Sequence, residues 1–149
     1  MIELGEMIKI ADVHAERIKM ALAELEQLLP FNADKVELLA KDKLLLTDLL
    51  VHRFGKLQDL LGNKIINEFL KFIDEYAANL SMLDKIYKLE RLEIIEDAEL
   101  WKEMRKVRNH ITHEYPDHPD FTAADLNKII ELAPHLLKIL DNIKIRIKY

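Results

Sequence analysis

The sequence predicts an all-α fold, an antiparallel bundle of about five or six helices forming one domain over residues 1–149. Three observations carry this expectation. Two apolar seams with heptad spacing run near the two ends of the chain, the pattern of helices packed lengthwise. Only three Gly and four Pro punctuate 149 residues, so helices can run long. No segment alternates apolar and polar residues as a half-buried strand does.

The first helix is predicted over Glu3 to Leu29. Its seam is Leu4, Ile8, Ala11, Ala15, Ile18, Leu22, Leu25 and Leu29, with Ala11 and Ala15 small enough for close helix approach. Pro30 disfavours helical geometry in the residue before it and ends the helix. A second helix is predicted from Asp34 to Leu61, and its wide apolar face makes it the central one. Gly62-Asn63 reads as its C-terminal stop, with a third helix from Asn63 to about Ala78. Ser81 is a predicted N-cap for a shorter helix reaching Leu92. Residues 93–97 read as a connector, and Asp97 caps a helix over Ala98 to Glu114. "YPDHPD" reads as a loop because Pro116 and Pro119 oppose helix continuation. Thr122-Ala-Ala-Asp125 resembles a capping box for the last helix. That helix carries the second seam, Leu126, Ile129, Ala133, Leu136, Leu140, Ile143 and Ile147, and Pro134 should kink it. The two terminal helices are expected to pack on each other.

Composition removes several function classes. With no Cys there is no disulfide scaffold, thiol nucleophile or Cys-based zinc site. No apolar run approaches spanning length, and the N-terminal residues do not read as a signal peptide, so a cytoplasmic protein without membrane contact is expected. The formal charge is −5, so any nucleic-acid contact has to be local. There is no Gly-rich phosphate loop, no H-E-x-x-H and no G-x-S-x-G.

One dense stretch remains, "WKEMRKVRNHITHEYPDHPD", Trp101 to Asp120. On a helix, Arg105, Arg108, Asn109, Thr112 and His113 follow one another at steps of three and four along a cationic, polar stripe. Arg offers a planar fork of donors for phosphate, and His moves protons near neutral pH. Asn109, four before His113, is placed to orient its imidazole. The set suits phosphoryl chemistry on RNA, in which a 2′-hydroxyl attacks the adjacent phosphate. A bland reading competes. The helix dipole favours basic residues near a C-terminus, His113 can cap the last carbonyls, and Tyr115 can pack on Pro116. A zinc reading through His110, His113 and His118 lacks a matched second cluster. Elsewhere, Arg53 is a second candidate for phosphate if the central helix lies beside the motif helix. Asp48 and His52 are a candidate local pair, and His14 and His135 read as structural or surface residues.

Arg108, four residues, His113, one residue and Tyr115 match the R-x4-H-x-Y motif, and the chain here resembles the HepT-like HEPN-domain ribonuclease toxins of the HepT/MntA toxin–antitoxin family. Asn109 fits the R-N start of that motif. "HRFGKLQDLLGNKI" (His52 to Ile65) and "LERLEIIEDAELWKEMRKVRNHITHEYP" (Leu89 to Pro116) are similar to the segments around it. The resemblance implies a HEPN-like bundle that dimerises, with the motif helices building one composite cleft. It implies a metal-independent RNA endonuclease, the toxin of a type VII-like system, with Arg108 and His113 catalytic and Asn109 and Arg105 supporting. Tyr115 matches the tyrosine adenylylated by an MntA-like nucleotidyltransferase antitoxin. No cofactor and no metal are expected. The alternative is a non-catalytic helical accessory or substrate-binding subunit of a minimal nucleotidyltransferase. Position 112 is Thr where a small apolar residue is expected, and His110 is an additional imidazole.

Overall fold

The first long helix forms where the seam demands one. In the computed structural model, which describes residues 3–114 and 119–148 without the side chains of 112–114 and 119–122, α1 spans Leu4–Leu25 and a 3-10 turn, Glu26–Leu28, extends it. Ile8, Ala11, Ala15, Ile18, Leu22 and Leu25 are buried, so the heptad spacing does face the core, while Leu29 beyond the helix is exposed.

The predicted second helix is two. A short α2 (Ala33–Glu37) is capped by Asn32, whose side-chain oxygen accepts from Lys35 N at 2.9 Å. After a break, α3 covers Lys41–Leu60. The break has a packing reason: α2 lies against the last helix, whereas α3 runs along α1. Between them the chain has to turn.

Gly62-Asn63 does not stop the helix. α3 passes through a π-helical turn, Leu61–Ile65, directly into α4 (Ile66–Phe72). Leu61, Ile65, Ile66, Phe69 and Leu70 are all fully buried, and burying a large aliphatic or aromatic side chain is worth roughly 1.5–3 kcal/mol, more than the glycine penalty of about 1 kcal/mol. The helix ends earlier than Ala78. Asp74 adopts a left-handed φ of 58°, and Glu75 N donates to Leu70 O at 2.8 Å, closing the end as a Schellman-type turn. Tyr76 therefore lies in a loop and is exposed, with Lys71 Nζ 4.9 Å from its ring centroid.

The next two helices follow the sequence expectation. α5 (Met82–Arg91) starts at a reciprocal capping box: Ser81 Oγ accepts from Asp84 N, and the Asp84 carboxylate accepts from Ser81 N, each at 3.1 Å. α6 spans Ala98–Glu114; Asp97 Oδ1 accepts from Glu99 N at 2.9 Å, and Glu90 Oε2 from Ala98 N at 2.7 Å. Residues 115–118, most of the expected loop, lie outside the described residues.

The last helix, α7 (Pro119–Arg146), starts three residues before the predicted Thr122 cap. Pro119 occupies the first turn, where its missing N–H is harmless. Asp125, expected to complete a capping box, instead bonds His110 of α6. The helix continues across Pro134, which sits on its exposed side.

Every described element is helical, and because α3 and α4 are continuous the described residues form six rods. Neighbours run antiparallel. His14–Arg53 and Glu24–Lys43 tie α1 to α3 in opposite directions, and His110–Asp125 and Glu103–Lys128 do so for α6 and α7. The terminal helices do meet, through Asp12–Lys144 at 2.8 Å, but α1 lies chiefly on α3. The Asn127 amide of α7 clamps the backbone of buried Phe31, accepting from its N–H at 2.7 Å and donating to its carbonyl at 2.9 Å. No described helix is long and apolar enough to cross a membrane.

Two glycines give opposite expectations. A Cβ at Gly62 lies 3.1 Å from Trp101 Cζ2, against a ring that is 2% exposed. At Gly55 the nearest contact is Arg108 Cγ at 3.9 Å. Gly62→Val is expected to destabilise by about 1–3 kcal/mol through overpacking. Gly55→Ala is expected to stabilise by up to about 1 kcal/mol through helix propensity. Chemical denaturation midpoints of both variants check the pair.

Candidate functional site

α6 carries the polar stripe, and its neighbours divide that stripe among three environments. Trp101, Met104 and Val107 point into the core and fix the rotation of the helix. With that rotation set, Arg108 and Ile111 face α3, Arg105 and Asn109 face α5, and His110 faces α7. The sequence places these residues on one stripe; the bundle separates them.

Arg108 meets a residue that the sequence reading did not single out. Its guanidinium forks onto the Asp59 carboxylate of α3, Nε donating to Oδ1 at 2.9 Å and Nη2 to Oδ2. The two side chains keep 25% and 34% of their exposure, so the pair stands at the surface rather than in the core. It borders a cleft of about 190 Å³ between α3 and α6, lined by Val51, His52, Phe54, Gly55, Lys56, Asp59, Arg108 and Ile111. On α3, His52, Lys56 and Asp59 recur at steps of four and three, which places them on one face of the helix. That spacing was the available signal for Lys56 and Asp59.

Arg105 and Asn109 line a shallower groove against α5, with Met82, Leu83, Ile86 and Trp101 as its apolar part and Lys102 and Lys106 at its rim. Lys102 Nζ is engaged by Glu99 at 2.9 Å and by the Tyr87 hydroxyl at 3.2 Å. These contacts hold its ammonium above the ordinary lysine range, the hydrogen bond to Glu99 first.

His110 Nδ1 lies 2.9 Å from Asp125 Oδ2, which makes Nδ1 the protonated nitrogen and ties α6 to α7. Among the described residues no group of three acidic or imidazole side chains is placed to hold a metal ion. His113 ends its chain run on α6, but its side chain, like those of Thr112 and Tyr115, lies outside the described residues, as does His118.

Arg53 is not a partner of the motif. α3 does lie beside α6, but Arg53 projects from another side of α3 toward α1, where Nη1 is 3.0 Å from His14 Nδ1. A guanidinium only donates, so His14 Nδ1 accepts and the ring is neutral. Burial pushes the His14 pKa below its usual value, and the charges of Arg53, His52 and Lys56 push it further. Asp48 and His52 share no hydrogen bond among the described residues, and both are exposed. His135 is 3.7 Å from Glu96 at the surface.

Neither a scan against protein-family models nor a search among curated proteins finds a match to this chain.

Two measurements follow from this geometry. A double-mutant cycle on Asp59→Ala and Arg108→Ala is expected to give a coupling of about 1 kcal/mol that shrinks with added salt, because the pair is bidentate yet partly exposed. His14 remains neutral in the fold where the unfolded chain takes up a proton, so its contribution is present above its unfolded pKa of about 6.5 and is lost as pH falls through its lower folded pKa. Wild type should lose more stability than His14→Gln between about pH 7 and pH 5, read from urea midpoints.

Proposed function

We propose that this chain is a HepT-like HEPN ribonuclease, the toxin of a toxin–antitoxin pair, which cuts RNA through Arg108 and His113 in a homodimer. The observation that carries the reading is the guanidinium of Arg108, held in one orientation by Asp59 at the mouth of an open cleft, five residues before His113 on the same helix. A motif arginine that served only packing has no reason to border a cleft with a lysine and a histidine. In the proposed reaction the ribose 2′-oxygen attacks phosphorus and its proton passes to an imidazole acting as base. The bond to the 5′-oxygen breaks, and that oxygen takes a proton as it leaves. The products are a 2′,3′-cyclic phosphate and a 5′-hydroxyl. Arg108 stabilises the extra charge on the phosphoryl oxygens. The partner is an MntA-like nucleotidyltransferase that silences the toxin by placing AMP on Tyr115. A phosphodiester there adds about one negative charge where an RNA phosphate has to dock.

One observation favours the runner-up, a non-catalytic accessory subunit of a nucleotidyltransferase. The charge of Arg108 is already matched within the chain by Asp59, and the protein is acidic as a whole.

Cleavage of a short RNA in EDTA separates the two. Arg108→Ala and His113→Ala are each expected to lower the rate by about 10²- to 10⁴-fold while circular dichroism still reports a folded helical chain. Wild type that leaves RNA intact supports the accessory reading. Tyr115→Phe is expected to stay active and to resist silencing by the nucleotidyltransferase with ATP and magnesium; modification at another residue, read by peptide mass, removes Tyr115 from the proposal.

A further inference from the structure

Resting on the nuclease reading but measured independently of cleavage, we infer that the α3 wall of the cleft, Lys56 with His52, is a binding subsite for an RNA backbone phosphate next to the one that Arg108 engages. Neither residue belongs to the R-x4-H-x-Y motif, and both come to Arg108 only through the packing of α3 on α6.

Four features of the cleft support this. Lys56 is exposed, makes no hydrogen bond or ion pair among the described residues, and lines the same cleft as Arg108. Other lysines are paired with acids, Lys43 with Glu24, Lys88 with Glu75, Lys102 with Glu99 and Lys144 with Asp12. Second, among the described residues the cleft walls carry Lys56 and Arg108 against one acid, Asp59, a surplus of positive charge on a chain whose formal charge is −5. A local surplus on an acidic protein steers an anion to one place. Third, basic side chains continue past the cleft. Arg53 follows His52 on α3 and reaches toward α1, where its Nη1 stands 3.0 Å from His14 Nδ1. A single phosphate needs no such extension, whereas a polyanion with charges at regular intervals uses it. Fourth, Gly55 sits between His52 and Lys56, and the added Cβ would meet nothing nearer than Arg108 Cγ at 3.9 Å, so the floor is open to a ligand. At about 190 Å³ the cleft holds a phosphodiester with part of a ribose but not a folded partner.

The Asp59 fork fits the same arrangement. It engages Nε and Nη2, one edge of the guanidinium, and sets the plane of the group against the α3 wall. Asp59 thus acts as a positioning residue for Arg108, while Lys56 supplies the uncompensated charge.

The test is fluorescence anisotropy with a fluorescein-labelled, single-stranded 2′-O-methyl RNA, which lacks the attacking hydroxyl and survives titration. Wild type is expected to bind with an affinity that falls steeply with salt. Lys56→Gln should weaken binding several-fold and lower the slope of log K against log salt by roughly 0.7, the value for one single-strand phosphate contact. Lys56→Arg should restore both. Gly55→Met, which fills the floor without changing charge, should weaken binding and leave the slope closer to wild type. Lys138→Gln, in the separate cavity between α6 and α7, is the charge control and should do nothing. Wild type that does not bind, or Lys56→Gln that behaves as Lys138→Gln does, overturns the inference. Cleavage of ordinary RNA that ignores Lys56→Gln overturns it too and leaves the nuclease reading standing. Lys56-dependent binding without cleavage upholds the subsite and defeats the nuclease reading.

Discussion

The indole of Trp101 rests so close to Gly62 that a Cβ there would stand 3.1 Å from its Cζ2, and this contact, with Met104 and Val107 in the core, positions the motif helix. Trp101 is 2% exposed, so the ring is held on all sides. Gly62 belongs to a π-helical turn, where the backbone is locally wider than an α-helix and approachable because it carries no Cβ. Once this point is fixed, α6 has one register on α3. Moving along α6 from Trp101 to Arg108 to Ile111 means moving back along α3 from Gly62 to Asp59 to Val51. Arg108 reaches Asp59 because it lies two turns from the indole. A bulkier residue at 62 would shift the helix and the cleft together.

The register also distributes charge. α6 is basic along much of its length, and the bundle gives three of its basic groups different neighbours. Arg108 faces a carboxylate, Lys102 faces Glu99 and a phenol, and His110 faces Asp125. These pairs are exposed or half-exposed, so each adds little to stability by itself. Their effect is on direction: they hold long, flexible side chains in fixed planes. Positive charge left without a described acid lies on both helices, at Lys56 of α3 and at Arg105 and Lys106 of α6. For the proposed nuclease, Arg108 then supplies orientation and the neighbouring helix supplies attraction.

How much was legible in the sequence varies with the range of the cause. The N-cap at Ser81, the bounds of α6 and the two heptad seams within their helices are set by residues within a few positions of one another; these stand as read, except that Leu29 falls beyond the end of the first helix. The misreadings share a different origin. Gly62-Asn63 carries a local stop signal, and tertiary burial of Leu61, Ile65 and Ile66 overrides it. The second helix breaks at residues 38–40 because α2 and α3 serve different neighbours. Thr122 has the spacing of a cap, but Pro119 already starts the helix and Asp125 is claimed by His110. Tyr76 has helical spacing to Ile73 and Phe69, yet a left-handed Asp74 ends the helix first.

The same division runs through the candidate site. The sequence by itself determined an all-helical chain and a helix carrying Arg105, Arg108, Asn109 and His113 at steps that put them on neighbouring lines of its surface, because helix periodicity is a local property. The sequence also carries His52, Lys56 and Asp59 at spacings that share one face of the central helix, although that face was not singled out from it. Only the tertiary structure decided that this face meets Arg108, that Arg53 turns instead to His14, and that Arg105 and Asn109 belong to a different groove. The reason is physical. Periodicity fixes angles around one helix axis, but which angle faces which neighbour depends on the rotation of one helix against another. Here that rotation is set by Trp101, Met104 and Val107 in the core, with the indole meeting a glycine 39 positions away in the chain.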